Sequence, residues 1–199
     1  MIISLGSNCA IAWQLKCHNL RREAYPFDWS KITLKQLINV LQNNFKDYTK
    51  LQIKKLSDNH KYFQFEHNFQ FEHNFQFEHN FQNESSYILY NNYNITFAHE
   101  LIDKNNIDEL SSIIDRRVER FKLLNNVTFI RIETCIIKDI NNYIILLNEL
   151  DRYFTDYKLI IISKTNPNID NAKLIHYKID EFNSDWKYDN LDWLKIFNL

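Results

Sequence analysis

A chain of 199 residues that keeps one glycine has few places where its backbone can turn without strain, and the glycine it keeps is Gly6. Ordinary soluble proteins carry glycine at about 7%, so roughly 14 would be usual at this length. A position that holds on to glycine under such a bias needs φ > 0 or a close approach by another group. The setting is Ile2-Ile3-Ser4-Leu5-Gly6-Ser7-Asn8-Cys9. A short apolar run precedes the glycine and a helical pattern follows it. The segment therefore reads as a buried strand over residues 2–5, a tight elbow over 6–8, and Cys9 in the first turn of a helix.

The rest of the chain alternates in the same way. Cys9, Trp13, Cys17 and Leu20 recur at helical spacing, and this helix is expected to end near Asn19. Tyr25-Pro26-Phe27-Asp28-Trp29 holds one of the two prolines. Pro26 fixes its own φ and pushes Tyr25 to an extended conformation, so a rigid aromatic loop is expected. Thr33 and Gln36 have capping-box spacing ahead of a helix on Leu34, Leu37, Ile38, Leu41 and Phe45. Strands are expected at Tyr87–Tyr90 and Ile95–Phe97, then a helix on Ile107, Leu110, Ile114, Val118 and Phe121. Arg117 falls inside that apolar stripe, with Arg116 and Arg120 at its borders. A strand over Val127–Ile132, a helix from Ile140 to Phe154 capped by Asp139, and strands at Leu159–Ser163 and Lys173–Ile179 follow. Trp186, Trp193 and Phe197 close the chain in a short amphipathic segment. This order predicts an α/β fold of three layers, with a mainly parallel sheet flanked by helices, in a single domain over 1–199.

Residues 63–82 stand apart as an insertion. Phe-Gln-Phe-Glu-His-Asn is repeated three times over 63–80 and followed by Phe81-Gln82. Strict alternation of period two gives a β insertion with one aromatic face. His67, His73 and His79 cannot share one metal ion along a regular strand, where each step is about 20 Å at ~3.3 Å per residue. Nor does a helix align them, because six residues turn about 600°. No metal site and no cofactor are expected.

Composition closes off several functions. A net charge of −1 gives no basic footprint for nucleic acid or a membrane surface. The apolar runs Tyr143–Leu147 and Leu159–Ile162 are far short of the roughly 20 residues that span a bilayer. Cys9, Cys17 and Cys135 follow no metal or disulfide spacing, which fits a reducing, cytoplasmic compartment. No basic leader precedes the first apolar run, so no secretory signal is expected. The excess of Asn, Ile, Lys, Phe and Tyr reads as compositional drift, so no single Asn or Lys carries much weight.

In open α/β sheets, sites form at the carboxyl ends of strands, and Cys9, His99 and Glu133 each follow or end a predicted strand. A cysteine at a strand-to-helix elbow sits where helix amides and the macrodipole stabilise a thiolate. The same amides, with the Asn8 side chain and Ser7, could form an oxyanion hole. His99 is a candidate base, with Asp28 or Glu133 as the carboxylate that orients it. Glu100 fits that role less well, because adjacent side chains on an extended backbone point to opposite faces. Arg117 either pairs with a buried carboxylate such as Glu133 or binds substrate.

The string Ser4-Leu5-Gly6-Ser7-Asn8-Cys9 with Ala12 and Leu15, followed by Tyr25-Pro26-Phe27-Asp28-Trp29, resembles the DUF1796 family, whose label is papain-like cysteine peptidase. Tyr93-Asn94-Ile95-Thr96-Phe97-Ala98-His99-Glu100 is similar to its Phe-x-His-Asp motif, with Glu100 where that motif has Asp. Arg116-Arg117-Val118-Glu119-Arg120-Phe121 and Phe129-Ile130-Arg131 resemble its later arginine motifs. The likeness runs in order from residue 1 to about 165. It implies Cys9 as nucleophile and His99 as base, and makes Asp28, Arg117 and Arg131 site candidates. The Gly-Ser-x-Cys elbow also resembles, more weakly, the SGNH and GSCFA acyl hydrolases; the Asp-x-x-His motif of that group is absent around His176.

The sequence thus predicts a cysteine-dependent hydrolase or acyl transferase acting on a peptide, ester or glycan. The alternatives are an esterase or glycan-modifying enzyme of SGNH type, and a non-catalytic module that binds phosphate or sugar-phosphate at the Gly6–Cys9 elbow.

Overall fold

The computed structural model describes residues 1–55, 87–97, 107–134, 139–182 and 185–199. The repeat insertion, His99, Glu100 and Cys135 lie outside the described residues.

Two four-stranded sheets organise the chain. The first is parallel, in the order β1 (Ile2–Ser4), β6 (Val127–Glu133), β7 (Tyr157–Ser163), β8 (Leu174–Lys178). The second is antiparallel, in the order β2 (Ser30–Lys31), β5 (Thr96–Phe97), β4 (Tyr87–Asn91), β3 (Leu51–Lys55). The helices are α1 (Ala10–Cys17), α2 (Leu34–Gln42), α3 (Ile107–Lys122), α4 (Asn141–Tyr153) and α5 (Trp193–Phe197). The α/β class and the flanked parallel sheet are as the sequence predicts. The antiparallel sheet is the addition.

β6 and β7 read as unbroken apolar runs because both of their faces are covered. Val127 and Phe129 join Leu159 and Ile161 in one core, together with residues of α2, α3, α4 and the second sheet. Ile130, Ile132, Ile160 and Ile162 point the other way, into a second core with Ala10, Ile11, Leu15, Tyr188, Trp193 and Ile196. The parallel sheet is therefore the middle layer, with α1 and the C-terminal segment on one side.

Local signals behave as their chemistry dictates. Thr33 and Gln36 form the capping box at the start of α2. Asp139 accepts a hydrogen bond from the Asn141 amide at 3.0 Å, at the start of α4. The face of α1 differs from the expected stripe: Ala10, Ile11, Ala12, Gln14 and Leu15 are buried, whereas Cys17 and Leu20 are exposed. The buried side of this short helix combines Ile11 and Leu15 with two alanines and one bonded glutamine, so its face is turned away from the Cys17–Leu20 side. Gln14 donates from Nε2 to the Lys187 carbonyl at 2.8 Å and to Asp189 Oδ1 at 2.6 Å, tying α1 to the C-terminal segment. In α4 likewise, Ile140 and Ile144 are exposed, while Leu146 and Glu149 are among the buried residues.

Among the described residues no helix is long and apolar enough to cross a membrane.

Candidate functional site

The elbow after β1 is built as its glycine suggested, and it is tighter. Gly6 has φ +76°, and a Cβ there would lie 2.2 Å from Ile32 Cγ2 and 3.4 Å from Ser30 Oγ. Both reasons for a glycine, positive φ and a close neighbour, hold together. Ser7 follows at φ 82°, a sparsely populated region for a residue with a Cβ. Ser4 Oγ accepts from the Gly6 amide at 3.1 Å, and the Leu5 amide reaches the Ile130 carbonyl at 2.9 Å, so the chain is held up to the turn itself.

Cys9 stands immediately before α1, and its carbonyl accepts from the Trp13 amide at 3.0 Å. Asn8 caps this turn: its Oδ1 accepts from the Ala10 amide at 3.0 Å, and its Nδ2 reaches the Tyr188 hydroxyl at 3.4 Å. The Cys9 side chain is only 3% exposed. Burial pushes its thiol up to about 12, with the nearby Asp28 charge adding to that and Lys31 opposing it. The helix terminus alone would lower the thiol, but desolvation outweighs it. At neutral pH the resting group is a thiol, not a thiolate.

The segment facing the elbow is the aromatic loop and β2. Tyr25, Pro26, Phe27 and Asp28 are all buried, so the loop is packed core. The Asp28 carboxylate accepts from Arg21 Nε at 3.1 Å and from the Tyr25 amide at 3.1 Å. Burial raises its pKa against the opposing pull of Arg21, those two bonds and the Arg117 charge. Arg117, half-buried on α3, thus stands in the electrostatic neighbourhood of Asp28 and of the fully buried Tyr48. Lys31 is half-buried, and its pKa is lowered by desolvation while Cys9 pulls it back up. Sequence reasoning passed over Lys31 and Arg21, since a lysine or arginine in a loop gives no signal that distinguishes it from a solvated charge.

Glu133 and Arg131, two residues apart on β6, point to the same side of the sheet. Arg131 Nε donates to Glu133 Oε1, and the buried Tyr143 phenol has its pKa raised by desolvation first and by the adjacent Glu133 charge next. Glu133 therefore pairs with Arg131, and Arg117 lies near Asp28. The other two Arg131 nitrogens donate to backbone, Nη1 to the Leu5 carbonyl at 3.0 Å and Nη2 to the Ile32 carbonyl at 3.1 Å. The structure thus brings Cys9, Ser7, Asn8 and Asp28 to one junction between the sheets, with Arg131 beneath it. β5, which leads to His99, belongs to the second sheet. Its Phe97 pairs with Ser30.

His176 is engaged elsewhere. Its Nε2 lies 3.0 Å from Ser163 Oγ and 3.2 Å from the Ser163 carbonyl, while Ser163 Oγ donates to the Thr165 carbonyl at 2.8 Å. A ring nitrogen shared with a carbonyl is a donor, so this histidine supports β7 and β8 and is not a base for Ser163.

A family model described as "Putative papain-like cysteine peptidase (DUF1796)" matches residues 1–166. That span holds the elbow, the aromatic loop, the second sheet and the strands β6 and β7, and stops before β8 and the segment carrying Tyr188. An uncharacterized protein of Acanthamoeba polyphaga mimivirus is 25% identical over 241 aligned positions, covering 98% of this chain and 96% of that protein. No solved structure matches the chain.

Proposed function

This chain belongs to the DUF1796 family, and from that premise we propose that it is a cysteine-dependent hydrolase or acyl transferase, with Cys9 as nucleophile and His99 as base. The observation that supports this most is the elbow itself. Two successive residues at positive φ, one of them a serine, hold Cys9 at the mouth of α1, beside the carboxyl end of a parallel strand. Backbone strain of this kind persists only where the surroundings enforce it, and it clusters at active sites.

His99 follows Phe97 by two residues in the sequence. Phe97 is paired with Ser30, two residues from Asp28, so the base and the carboxylate proposed to orient it leave the same short strand pair. The resting thiol is protonated, which favours general-base chemistry over a standing thiolate. As Sγ attacks the substrate carbonyl, its proton passes to the His99 imidazole. The oxyanion is held by the Cys9 amide and Asn8 Nδ2, with Ser7 alongside. Collapse breaks the bond to the leaving group, which takes the proton from His99. Water, or an acceptor in a transferase, then releases the acyl group from sulfur. Arg117 supplies a cation for an anionic or polar part of the substrate.

The test uses p-nitrophenyl acetate as a small acyl donor, with the acetylated residue located by peptide mass spectrometry. Acetyl on Cys9, lost in Cys9→Ala and reduced at least tenfold in His99→Gln, is the expected result. Acetylation confined to Cys17 or Cys135 in folded protein would overturn the proposal.

A further inference from the structure

We infer that Arg131 is a positioning residue: its guanidinium fastens the nucleophile's elbow to the strand pair that carries the rest of the site, and does not contact substrate. The inference rests on the proposed role of Cys9 for its catalytic meaning, but its geometry stands independently of that role.

Three observations converge. First, Arg131 is among the largest fully buried side chains, at 1% exposure. A buried guanidinium is costly unless its donors are satisfied, and here each of its three nitrogens has an acceptor. Second, those acceptors come from different parts of the fold. The Leu5 carbonyl follows β1 of the parallel sheet, whereas the Ile32 carbonyl follows β2 of the antiparallel sheet. Third, the two joined segments are packed directly against each other, since Ile32 Cγ2 occupies the space where a Gly6 Cβ would be. The fork of Arg131 therefore spans the seam between the sheets at the point where Cys9 comes from one side and Asp28 and Lys31 from the other.

Glu133 and Tyr143 complete the device. Glu133 holds Nε, which leaves both terminal nitrogens aimed at the carbonyls, and the buried Tyr143 phenol lies beside Glu133. A planar fork serves two carbonyls and a carboxylate from three separate nitrogens, whereas a lysine ammonium donates from one centre. Lysine presents a single point charge and cannot bridge the seam.

The experiment measures iodoacetamide alkylation of Cys9 between pH 6 and 10 by peptide mass spectrometry, with exposed Cys17 as internal control and urea unfolding in parallel. In Arg131→Lys the released seam admits water to the elbow. Cys9 alkylation at pH 8 is expected to rise at least tenfold and its pH profile to move toward lower pH, with Cys17 unchanged. Ile130→Val trims the neighbouring core residue and leaves all three bonds in place; it is expected to keep the wild-type Cys9 profile. If Arg131→Lys does not fold, Tyr143→Phe removes only the phenol oxygen beside Glu133, and a two- to fivefold rise confined to Cys9 is expected. An unchanged Cys9 profile in the folded Arg131 or Tyr143 variant would overturn the inference, as would an equal shift in Ile130→Val. Should wild-type Cys9 fail to take an acetyl group while Arg131→Lys still shifts its alkylation profile, the nucleophile falls and the fastening role stands.

Discussion

Replacing Gly6 by alanine separates two physical costs that the elbow combines. At φ +76° an L-residue is in the left-handed region, which costs roughly 1–2 kcal/mol for a residue with a Cβ. The added methyl would also lie 2.2 Å from Ile32 Cγ2, a backbone-anchored branch with little freedom to withdraw. Overpacking of that kind costs about 1–3 kcal/mol. The sum, about 2–5 kcal/mol, is a large share of the roughly 5–15 kcal/mol that holds a domain folded. Urea unfolding followed by tryptophan fluorescence reads it directly, and the melting temperature should fall by about 2–4 °C per kcal/mol. The decomposition is tested in an Ile32→Leu background, where the γ2 methyl is gone and side-chain volume is kept. There Gly6→Ala should cost only the conformational part, about 1–2 kcal/mol, leaving a coupling of roughly 1–3 kcal/mol between the two sites. A Gly6→Ala penalty below about 0.5 kcal/mol, or strict additivity with Ile32→Leu, would refute the account of the elbow.

Two further outcomes follow from the same structure. The Cys9 thiol rises from its ordinary 9.0 to about 12 in the folded protein, so its contribution to stability is full below pH 9 and is lost as pH climbs toward 12. The stability difference between wild type and Cys9→Ala should therefore shrink by roughly 1.4 kcal/mol between pH 8 and 10, since other alkaline titrations cancel in the difference; a flat difference would contradict the burial of the thiol. Thr33→Ala removes the side-chain half of the α2 capping box and should cost about 1 kcal/mol in the same unfolding assay, with Cys9 alkylation unaltered.

The drift toward asparagine turns out to carry structure. Asn19, Asn44, Asn94, Asn126 and Asn168 all adopt positive φ. Asn19 and Asn44 fall just after α1 and α2, where other chains place glycine, and Asn126 stands directly before β6. Asparagine tolerates this region better than most residues with a Cβ, which is how a chain with one glycine still turns after α1 and α2. Because asparagine is abundant throughout, no single one advertised that role in the sequence.

What the sequence determined by itself is what short-range physics controls. The strand, elbow and helix around Gly6 were legible because conformational freedom and apolar periodicity act within a few residues. The Thr33–Gln36 box was legible because its partners are three apart. The two-sided burial of β6 and β7 showed as unbroken apolar runs. Tertiary structure decided the rest. β4 and β5 were legible as strands, but β2 is two residues long, too short to carry any alternation, and β3 gave no signal, so the antiparallel sheet was visible only once its strands had met. Cys9 reads as an activated thiolate from its place before a helix, yet packing buries it and reverses the direction of its shift. Nothing local in the sequence shows what Arg131 bonds to, because its acceptors on Leu5 and Ile32 are 126 and 99 residues away in the chain. No local pattern encodes partners at that separation; they exist only because two sheets close against each other at the one glycine.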